Sequence, residues 1–253
     1  MYAPDLAGGD VFSNVVVTGS SGGFGSAVTA ALISAGYAVL GLDRNRPKEE
    51  LSGLTHVSVD LSNPEAITAA LARRSEPVGA VIHCAAEQPL AEAGGGEGVE
   101  IWSRAYAVNV LALEQIVSEL KADLAATKPH RVIAIGSIHD KATSRNIAPY
   151  AVSKGALAAW VRSAALDLGR HGIAAIGVSA GAIDSPKLRE GLMRFPDPET
   201  AWQRLVERLP VGRVVAPEDL AALCLFLLRP EAVHFTGSSL SFDGGVSSVL
   251  ASE

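Results

Sequence analysis

The stretch NVVVTGSSGGFG, from Asn14 to Gly25, decides the fold, because a short β-branched run passes directly into a glycine-rich loop. A helical pattern then continues from Gly23 to about Ala35. Glycines permit a tight turn and let backbone N–H groups approach an anion, and a helix N-terminus adds free donors and partial positive charge. Between a first strand and a first helix, this loop predicts a pyrophosphate site for a dinucleotide, whereas elsewhere it would more often be a plain turn.

Short β-branched runs and longer helical patterns alternate along the rest of the chain. The predicted strands are Asn14–Thr18, Tyr37–Leu42, His56–Val59, Gly79–His83, Arg131–Ile135, Ile173–Val178 and Ser239–Phe242. The predicted helices are Gly23–Ala35, one that starts at Asn63-Pro64-Glu65, Val99–Ala126, Pro149–Arg170 and Pro217–Leu228. Strands that are apolar on both faces and separated by helices predict a doubly wound parallel sheet. No linker divides the chain, so residues 1–253 are expected to form a single α/β domain with a Rossmann fold and helices on both faces.

Composition narrows the possible partners. A net charge of −6 in 253 residues argues against a nucleic acid or an anionic membrane surface and leaves small molecules or proteins. The N-terminus lacks the features of a secretory signal, and the apolar stretch Leu220–Leu228 is too short to span a bilayer. Cys84 and Cys224 lie in apolar segments, as expected for core residues in a reducing compartment. We therefore expect a cytoplasmic protein, and the lack of a CxxC or HxxxH pair predicts no metal site.

The second predicted strand leads to Asp43, about 20 residues beyond the loop, where an acid accepts hydrogen bonds from an adenosine ribose. A carboxylate there would repel the 2′-phosphate of NADP, and Gly22 leaves no basic side chain within the loop to attract it. Both features favour NAD over NADP. Arg44 complicates this interpretation, because it could stack on adenine, reach a phosphate or be a plain surface charge. Asp43 could likewise be a solvated turn residue.

Tyr150 and Lys154 are four residues apart in a helical pattern, which stacks them on one face. A phenol with an ordinary pKa of about 10 becomes a usable base at neutral pH only if a neighbouring positive charge favours its phenolate form. Lys154 and an oxidised nicotinamide would both supply such a charge. The pair alone is weak support, because such pairs also occur by chance on solvated helix faces.

Two further polar residues strengthen this hypothesis. Ser137 follows the fifth predicted strand, at the sheet edge where doubly wound folds bind ligands, and it can donate to a substrate carbonyl. It could also be a simple helix cap. Asn109 lies within a predicted helix, where asparagine is not intrinsically favoured. It could hold a water near Lys154, kink the helix, or be a tolerated polar residue.

Taken together, these motifs resemble the short-chain dehydrogenase/reductase family, and more narrowly its single-domain branch of about this length. The resemblance covers essentially the whole chain. It rests on TGxxxGxG at Thr18–Gly25, Asp60-Leu61 after the third strand, Asn109, Ser137, Tyr150 and Lys154, Gly212-Arg213, Thr236-Gly237 and Asp243-Gly244-Gly245.

The resemblance implies a role for each matching residue. Tyr150 would be the general acid/base, Lys154 would bind the nicotinamide ribose and lower the tyrosine pKa, and Ser137 would orient the substrate oxygen. Asn109 would anchor a proton-relay water. The implied cofactor-binding residues are Gly19, Ser21, Gly23, Phe24, Gly25, Asp43, Arg44, Asp60, Leu61, Cys84, Ala85, Ala86, Tyr150, Lys154, Ile183 and Ser185.

The chain departs from the family pattern in two loops. The usual Asn-Asn-Ala-Gly after the fourth strand is His83-Cys84-Ala85-Ala86, so the side-chain hydrogen bonds of the lost asparagine must be replaced. The usual Pro-Gly after the sixth strand is Ala180-Gly181, and Ser185 stands in the place of a threonine. Neither departure removes a catalytic atom.

Three segments are expected to form the substrate pocket: Glu87–Gly98, Ile138–Ala148 and Ser185–Pro210. The last is predicted to be a long mobile lid over the cofactor. Ser137, His139 and Tyr150 are the predicted substrate contacts. The basic side chains of these segments either recognise a polar or anionic substrate or form a solvated surface.

The leading functional hypothesis is an NAD-dependent oxidoreductase that interconverts a secondary alcohol and a ketone. The alternatives are an NADPH-dependent 3-oxoacyl-carrier-protein-type reductase and a nucleotide-sensing or scaffold protein without turnover. The resemblance also implies a homodimer or homotetramer, built from the Val99–Ala126 and Pro149–Arg170 helices and the C-terminal strand.

Overall fold

A computed structural model describes residues 14–96 and 98–250 of the chain. At its centre lies a seven-stranded sheet of order β3-β2-β1-β4-β5-β6-β7, with every neighbouring pair parallel. The strands are β1 (Asn14–Thr18), β2 (Val39–Asp43), β3 (Leu54–Ser58), β4 (Val78–His83), β5 (Arg131–Ile135), β6 (Ala174–Ala180) and β7 (Ser239–Phe242). The predicted doubly wound parallel sheet is confirmed. The predicted single domain over 1–253 includes residues 1–13, 97 and 251–253, which lie outside the described residues.

Helices cover both faces of the sheet. They are α1 (Gly25–Ser34), α2 (Pro64–Leu71), α3 (Val99–Tyr106), α4 (Ala112–Ala126), α5 (Ala148–Gly169), α6 (Pro186–Leu192), α7 (Pro198–Glu207) and α8 (Pro217–Leu227). Successive strand residues point to opposite faces, so Val16 packs with α2, α4 and α5, while Val15 and Val17 pack with α1 and α8. These two apolar layers explain why the strands are hydrophobic on both faces.

The predicted helix Val99–Ala126 is wrong in one respect, because it is not a continuous α-helix. A π-helical turn, Ala107–Leu111, separates α3 from α4. Such a turn inserts extra backbone into the helix and often marks a functional site. Asn109 lies within this turn and is fully buried, so the helix is irregular at the residue for which a kink was one of three interpretations.

The expected long loop Ser185–Pro210 is also wrong, because most of it is helical. Ser185 caps α6 by accepting a hydrogen bond from Leu188 N at 3.3 Å, and Asp197 caps α7 by accepting one from Thr200 N at 3.1 Å. A proline follows each cap, at the first helical position, where its missing N–H costs nothing. Pro186 and Pro198 therefore begin helices and do not interrupt them.

Three observations on the described residues concern membrane-spanning helices, metal-binding clusters and cysteines. None of the helices in the described ranges has the length and apolar character needed to cross a bilayer. The same residues include no cluster of three or more His, Cys, Asp or Glu side chains that could hold a metal ion. Cys84 and Cys224 are both buried free thiols.

The topology places the candidate site at the carboxyl edge of the sheet. β1 lies between β2 and β4, so the chain turns to opposite sides after β1 and after β4. In doubly wound sheets, the crevice at such a reversal of strand order is where ligands bind. The loops that follow β1, β2, β4 and β5 meet there.

Candidate active site

The glycine-rich loop after β1 has no room for side chains at three of its glycines. Gly19 has a φ of +66°, and a Cβ there would approach Ala85 N to 2.8 Å. A Cβ on Gly25 would collide with the Gly19 carbonyl oxygen, and one on Gly23 would approach Ser185 Cβ to 2.8 Å. The backbone at this turn therefore has no side chains at these positions and packs closely against neighbouring segments.

The polar groups of this loop suit a diphosphate. Helix α1 begins here behind Phe24, which provides no side-chain cap for the first N–H groups. The hydroxyls of Ser20 and Ser21 are buried and have no hydrogen-bond partner within the described residues. Free N–H donors at a helix start and unpaired hydroxyls form a favourable environment for an anion. The residues present therefore fit the pyrophosphate of a dinucleotide.

Replacing Gly25 with alanine is expected to weaken dinucleotide binding. The new Cβ forces the turn at Gly19 to open, and overpacking of this kind costs about 1–3 kcal/mol, or roughly tenfold or more in Kd. Titration of NADH fluorescence would measure this effect. Gly22→Ala is the matched control, because its Cβ would approach the same Gly19 oxygen only to 3.1 Å. Equal Kd values for the two variants would contradict the proposed role of the loop.

Asp43 lies at the end of β2 and is anchored against this loop. Its carboxylate accepts hydrogen bonds from Ser21 N at 3.0 Å and from Asn45 N at 2.8 Å. The neighbouring Arg44 is exposed and pairs with Glu87 at 2.9 Å. The acid predicted to bind the ribose therefore lies beside the phosphate loop, and the arginine that follows it is ion-paired.

Asp60 and Leu61 differ in their exposure. The Asp60 carboxylate accepts from Ser62 N at 2.9 Å and pairs with Arg104 at 3.1 Å. The Ser62 backbone N–H is the largest cause that lowers the pKa of Asp60 to about 2, with smaller contributions from the Ser62 hydroxyl and Arg104. Leu61 is buried in the core that α2, α4 and α5 form with the sheet. Of these two implied cofactor-binding residues, only Asp60 has an exposed side chain.

His83 stands where the family pattern has an asparagine, and its ring is hydrogen-bonded to the Thr18 hydroxyl. The Thr18 hydroxyl accepts a hydrogen bond from Ala85 N at 3.2 Å and lies 2.8 Å from His83 Nδ1. A hydrogen bond therefore joins this hydroxyl to the imidazole, and which of the two groups donates depends on the tautomer of the ring. The pair ties the end of β1 to the end of β4.

The environment of His83 keeps the imidazole neutral. Complete burial lowers the pKa of His83 to about 3, and the charge of Lys154 also lowers it. The backbone carbonyls of Asn109 and Val108, in the π-helical turn, act in the opposite direction. Nε2 has no hydrogen-bond partner within the described residues. A charged imidazole would therefore be strongly disfavoured here.

Cys84, Ala85 and Ala86 follow His83 and differ in how they lie relative to the glycine-rich loop. The Cys84 side chain is buried between the sheet and α1, and burial raises the pKa of its thiol well above the ordinary value. Ala85 presents its backbone N–H to Thr18, as described above, and Ala86 is exposed. This segment therefore meets the glycine-rich loop mainly through backbone atoms.

Ser137, Tyr150 and Lys154 come together beyond β5. The side chains of Ser137 and Tyr150 are hydrogen-bonded to each other. Lys154 is 2% exposed, and its Nζ lies 5.6 Å from the Tyr150 ring centroid and donates to Ile135 O at 2.8 Å. The Ser137 hydroxyl also accepts from His139 N at 3.3 Å, so it caps a short 3-10 turn as well. The residues expected to act on a substrate are adjacent.

The two titratable groups of this cluster have shifted pKa values. Burial raises the pKa of Tyr150, and the hydrogen bond with Ser137 lowers it only in part. Burial lowers the pKa of Lys154 to about 8, and the charge of Lys187 adds to this effect. Desolvation of the phenol is the larger of these two effects on Tyr150, and Lys154 is not among the groups that shift its pKa in the protein alone. Tyr150 is therefore protonated at neutral pH.

Asn109 has a different set of partners from those expected. Its Nδ2 donates to Glu87 O at 2.9 Å and to Ser153 Oγ at 2.8 Å, and its Oδ1 accepts from Glu87 N at 2.7 Å. Ser153 in turn donates to Tyr150 O at 2.7 Å. Both amide donors are used, so the Asn109 side chain has none left to give to a water. It joins the segment after β4 to the helix that carries Tyr150.

The remaining predicted residues border the cluster. His139 lies edge-on to Tyr150, with ring centroids 5.8 Å apart, and burial lowers its pKa. Ile183 forms a bridge with Val215, and Ser185 begins α6 against Gly23. Arg189, one of the basic residues considered for substrate recognition, is instead paired with Asp184 at 2.8 Å.

Two residues near the site, Glu87 and Ser153, were not singled out from the sequence. Glu87 was only the first residue of a predicted pocket segment, yet its backbone holds Asn109 and its side chain pairs with Arg44 and with Arg104 at 3.4 Å. Ser153, between Asn109 and Tyr150, lies three residues from the tyrosine within the same helix. A serine between Tyr150 and Lys154 was the only feature of the sequence that could have indicated this role.

Known proteins are similar to this chain in sequence and in fold. A family described as enoyl-(acyl carrier protein) reductase matches residues 19–247. L-xylulose reductase of Mus musculus is 30% identical, over 91% of this chain and 94% of its own length. An L-sorbose reductase from Gluconobacter frateurii, complexed with NADPH and L-sorbose, superposes with a TM-score of 0.85 at 21% identity and covers 94% of this chain and 98% of its own.

A second solved structure is similar in fold. A 4-hydroxyisoleucine dehydrogenase complexed with NADH has a TM-score of 0.84 at 20% identity, and the match covers 94% of this chain and 100% of that one. Its structure contains NADH and the sorbose reductase structure contains NADPH, so these fold neighbours do not distinguish the two cofactors. The sequence motifs, the order of the strands in the sheet and the family match over residues 19–247 all indicate the same family. The chain belongs to the short-chain dehydrogenase/reductase family, whose members act on CH–OH groups.

Proposed function

We propose that this enzyme is an NAD(H)-dependent oxidoreductase that interconverts a secondary alcohol and a ketone, with Tyr150 as its general acid/base. One observation carries the proposal. Ser137, Tyr150 and Lys154 form a single cluster at the carboxyl edge of the sheet, beside a loop that fits a pyrophosphate. The nicotinamide would supply the chemistry that the side chains lack, namely the acceptance or donation of a hydride.

The protein's own groups would manage the proton and the substrate oxygen. In ketone reduction, Tyr150 donates its phenolic proton to the carbonyl oxygen while the Ser137 hydroxyl hydrogen-bonds to the same oxygen. The raised pKa of Tyr150 suits this direction, because the phenol is protonated at neutral pH. In alcohol oxidation the phenol must first lose its proton, so this direction should become faster as the pH rises.

We further propose that Asn109 acts by positioning and not by holding a relay water with its side chain. Its two amide donors are occupied by Glu87 and Ser153. Through these bonds it fixes the segment after β4 relative to the helix of Tyr150. His139, edge-on to Tyr150, is the proposed further contact with the substrate.

The preference for NAD rests on Asp43. Its carboxylate is held against the glycine-rich loop by Ser21 N. An adenosine ribose bound as in other Rossmann folds would meet this carboxylate, which accepts hydrogen bonds from a 2′-hydroxyl and repels a 2′-phosphate. The alternative is an NADPH-dependent reductase of carrier-bound acyl chains, and a scaffold role without turnover is a further alternative.

A combined titration and screen tests the function. Calorimetric titration with NAD⁺ and NADP⁺ measures cofactor choice, and nicotinamide absorbance follows turnover of secondary alcohols, ketones, sugars and an acyl-carrier analogue. We expect tighter binding of NAD⁺ and turnover of an alcohol–ketone pair. Tighter NADP⁺ binding with turnover of the acyl substrate alone would favour the alternative reductase. Dinucleotide binding without turnover of any substrate would favour the scaffold role.

We propose a homodimer or homotetramer located in the cytoplasm. The helices expected at the interface carry exposed apolar side chains, including Val152 at 57% and Leu166 at 77% exposure on α5. Apolar residues that are exposed in one subunit commonly lie in oligomer contacts. Two buried free thiols agree with a reducing compartment. Light scattering after size-exclusion chromatography would give the assembly mass, and a monomer would refute the proposed assembly.

A further inference from the structure

A row of alternating charges runs along the rim of the proposed adenosine site. Arg44 pairs with Glu87 at 2.9 Å, Glu87 pairs with Arg104 at 3.4 Å, and Arg104 pairs with Asp60 at 3.1 Å. Arg44 is the outermost member, since its side chain is 62% exposed, whereas that of Glu87 is 24% exposed. Arg44 directly follows Asp43, the residue that would bind the ribose.

Glu87 is the fixed member of this row. Its backbone N–H and C=O both bond to the buried Asn109 side chain, at 2.7 and 2.9 Å. The backbone from which its carboxylate extends is therefore fixed. Arg44, by contrast, forms no other hydrogen bond through its guanidinium within the described residues. The position of the arginine thus depends on Glu87.

An arginine near the ribose is the usual means by which a Rossmann fold accepts the 2′-phosphate of NADP. A guanidinium binds phosphate strongly, because it is planar and always charged. Arg44 follows the ribose-binding acid directly, and only its pairing with Glu87 holds it aside. If Arg44 were free to bind a 2′-phosphate, Asp43 alone would not be enough to exclude NADP.

We infer that Glu87 is a positioning residue for cofactor choice, which holds Arg44 away from a ribose 2′-phosphate and so strengthens the preference for NAD. This inference rests on the proposed use of NAD. Arg104 is a weaker candidate for the same role, because Asp60 and Ser62 also hold it, at 3.1 and 2.9 Å. Lys187 lies close enough to Glu87 for the carboxylate to raise its pKa, although burial lowers that pKa overall.

The test is a double-mutant cycle with Glu87→Gln, Arg44→Ala and the combined variant. Calorimetry measures the Kd of NAD⁺ and of NADP⁺ for each protein. Releasing a single partly exposed ion pair should lower the Kd of NADP⁺ by about threefold to tenfold in Glu87→Gln, with little change for NAD⁺. The gain should disappear in the combined variant, because Arg44 supplies it.

Glu190→Gln is the matched control. Glu190 lies on α6, also acts on Lys187, and makes the same change in net charge without contacting Arg44. An equal gain in Glu190→Gln, or a gain that persists without Arg44, would attribute the effect to general charge and overturn the inference. An unchanged ratio of the two Kd values, or loss of NAD⁺ binding in Glu87→Gln, would also overturn it. Failure of the wild-type protein to bind either dinucleotide would instead refute the proposed function.

Discussion

Replacing Tyr150 with phenylalanine is expected to lower kcat by about 10³-fold and to leave the Kd of the nicotinamide cofactor within about threefold of the wild-type value. Phenylalanine keeps the ring that packs beside His139 and Lys154. It removes only the oxygen that is hydrogen-bonded to Ser137 and that carries the transferable proton. The loss should therefore fall on the chemical step and not on binding.

The pH dependence of turnover offers a second readout for the same variant. Because burial raises the pKa of Tyr150, the phenol remains protonated through neutral pH. Ketone reduction should therefore proceed at neutral pH, whereas alcohol oxidation should become faster as the pH rises and the phenol ionises. The residual activity of Tyr150→Phe should lack this rise, since no phenol is left to titrate.

Tyr106→Phe provides the control for loss of a tyrosine hydroxyl. Tyr106 is an exposed residue on α3, outside the catalytic cluster. Its variant should retain the wild-type kcat and pH profile. If Tyr150→Phe kept more than about a tenth of the wild-type kcat, the tyrosine would contribute less than general acid–base catalysis usually does, and the assignment would be wrong.

Periodicity and glycine placement were sufficient to predict the sheet. The predicted bounds of β1, β5 and β7 match the structure, because each is a short apolar run between clear turn or helix signals. β2 and β6 extend one or two residues further than predicted, to Asp43 and Ala180. Ends of this kind depend on pairing with neighbouring strands, which a single sequence does not display.

The site was predictable where spacing within one element sets the geometry, as for Tyr150 and Lys154 on one face of α5. It was not predictable where residues from distant segments meet. The ion pair between Arg44 and Glu87 joins residues 43 positions apart, and the bonds of Asn109 to Glu87 join residues 22 positions apart. Patterns of neighbouring residues in the sequence do not indicate contacts over such distances along the chain. The raised pKa of Tyr150 in the protein alone could not be predicted for a similar reason, because burial of the phenol is a property of the whole fold.

His83 should make the protein less stable at mildly acidic pH. Its pKa is lowered from 6.5 to about 3 in the folded state, chiefly by burial, so the unfolded chain binds a proton that the folded protein excludes. Stability from this group is present above its unfolded pKa and is lost as the pH falls from there toward the folded pKa. Between about pH 7.5 and about pH 5, the expected loss is on the order of 2 kcal/mol.

Urea unfolding of the wild type and of His83→Asn at these two pH values would measure that loss. Asparagine can still bond to the Thr18 hydroxyl but cannot take up a proton in this range, so the variant should lose about 2 kcal/mol less than the wild type on acidification. His234→Asn removes an exposed histidine from the 3-10 segment after α8 and should follow the wild type. Parallel losses in the wild type and His83→Asn would mean that the imidazole accepts its proton within the fold. The buried contact between Thr18 and His83 would then tolerate a positive charge that is not solvated by water.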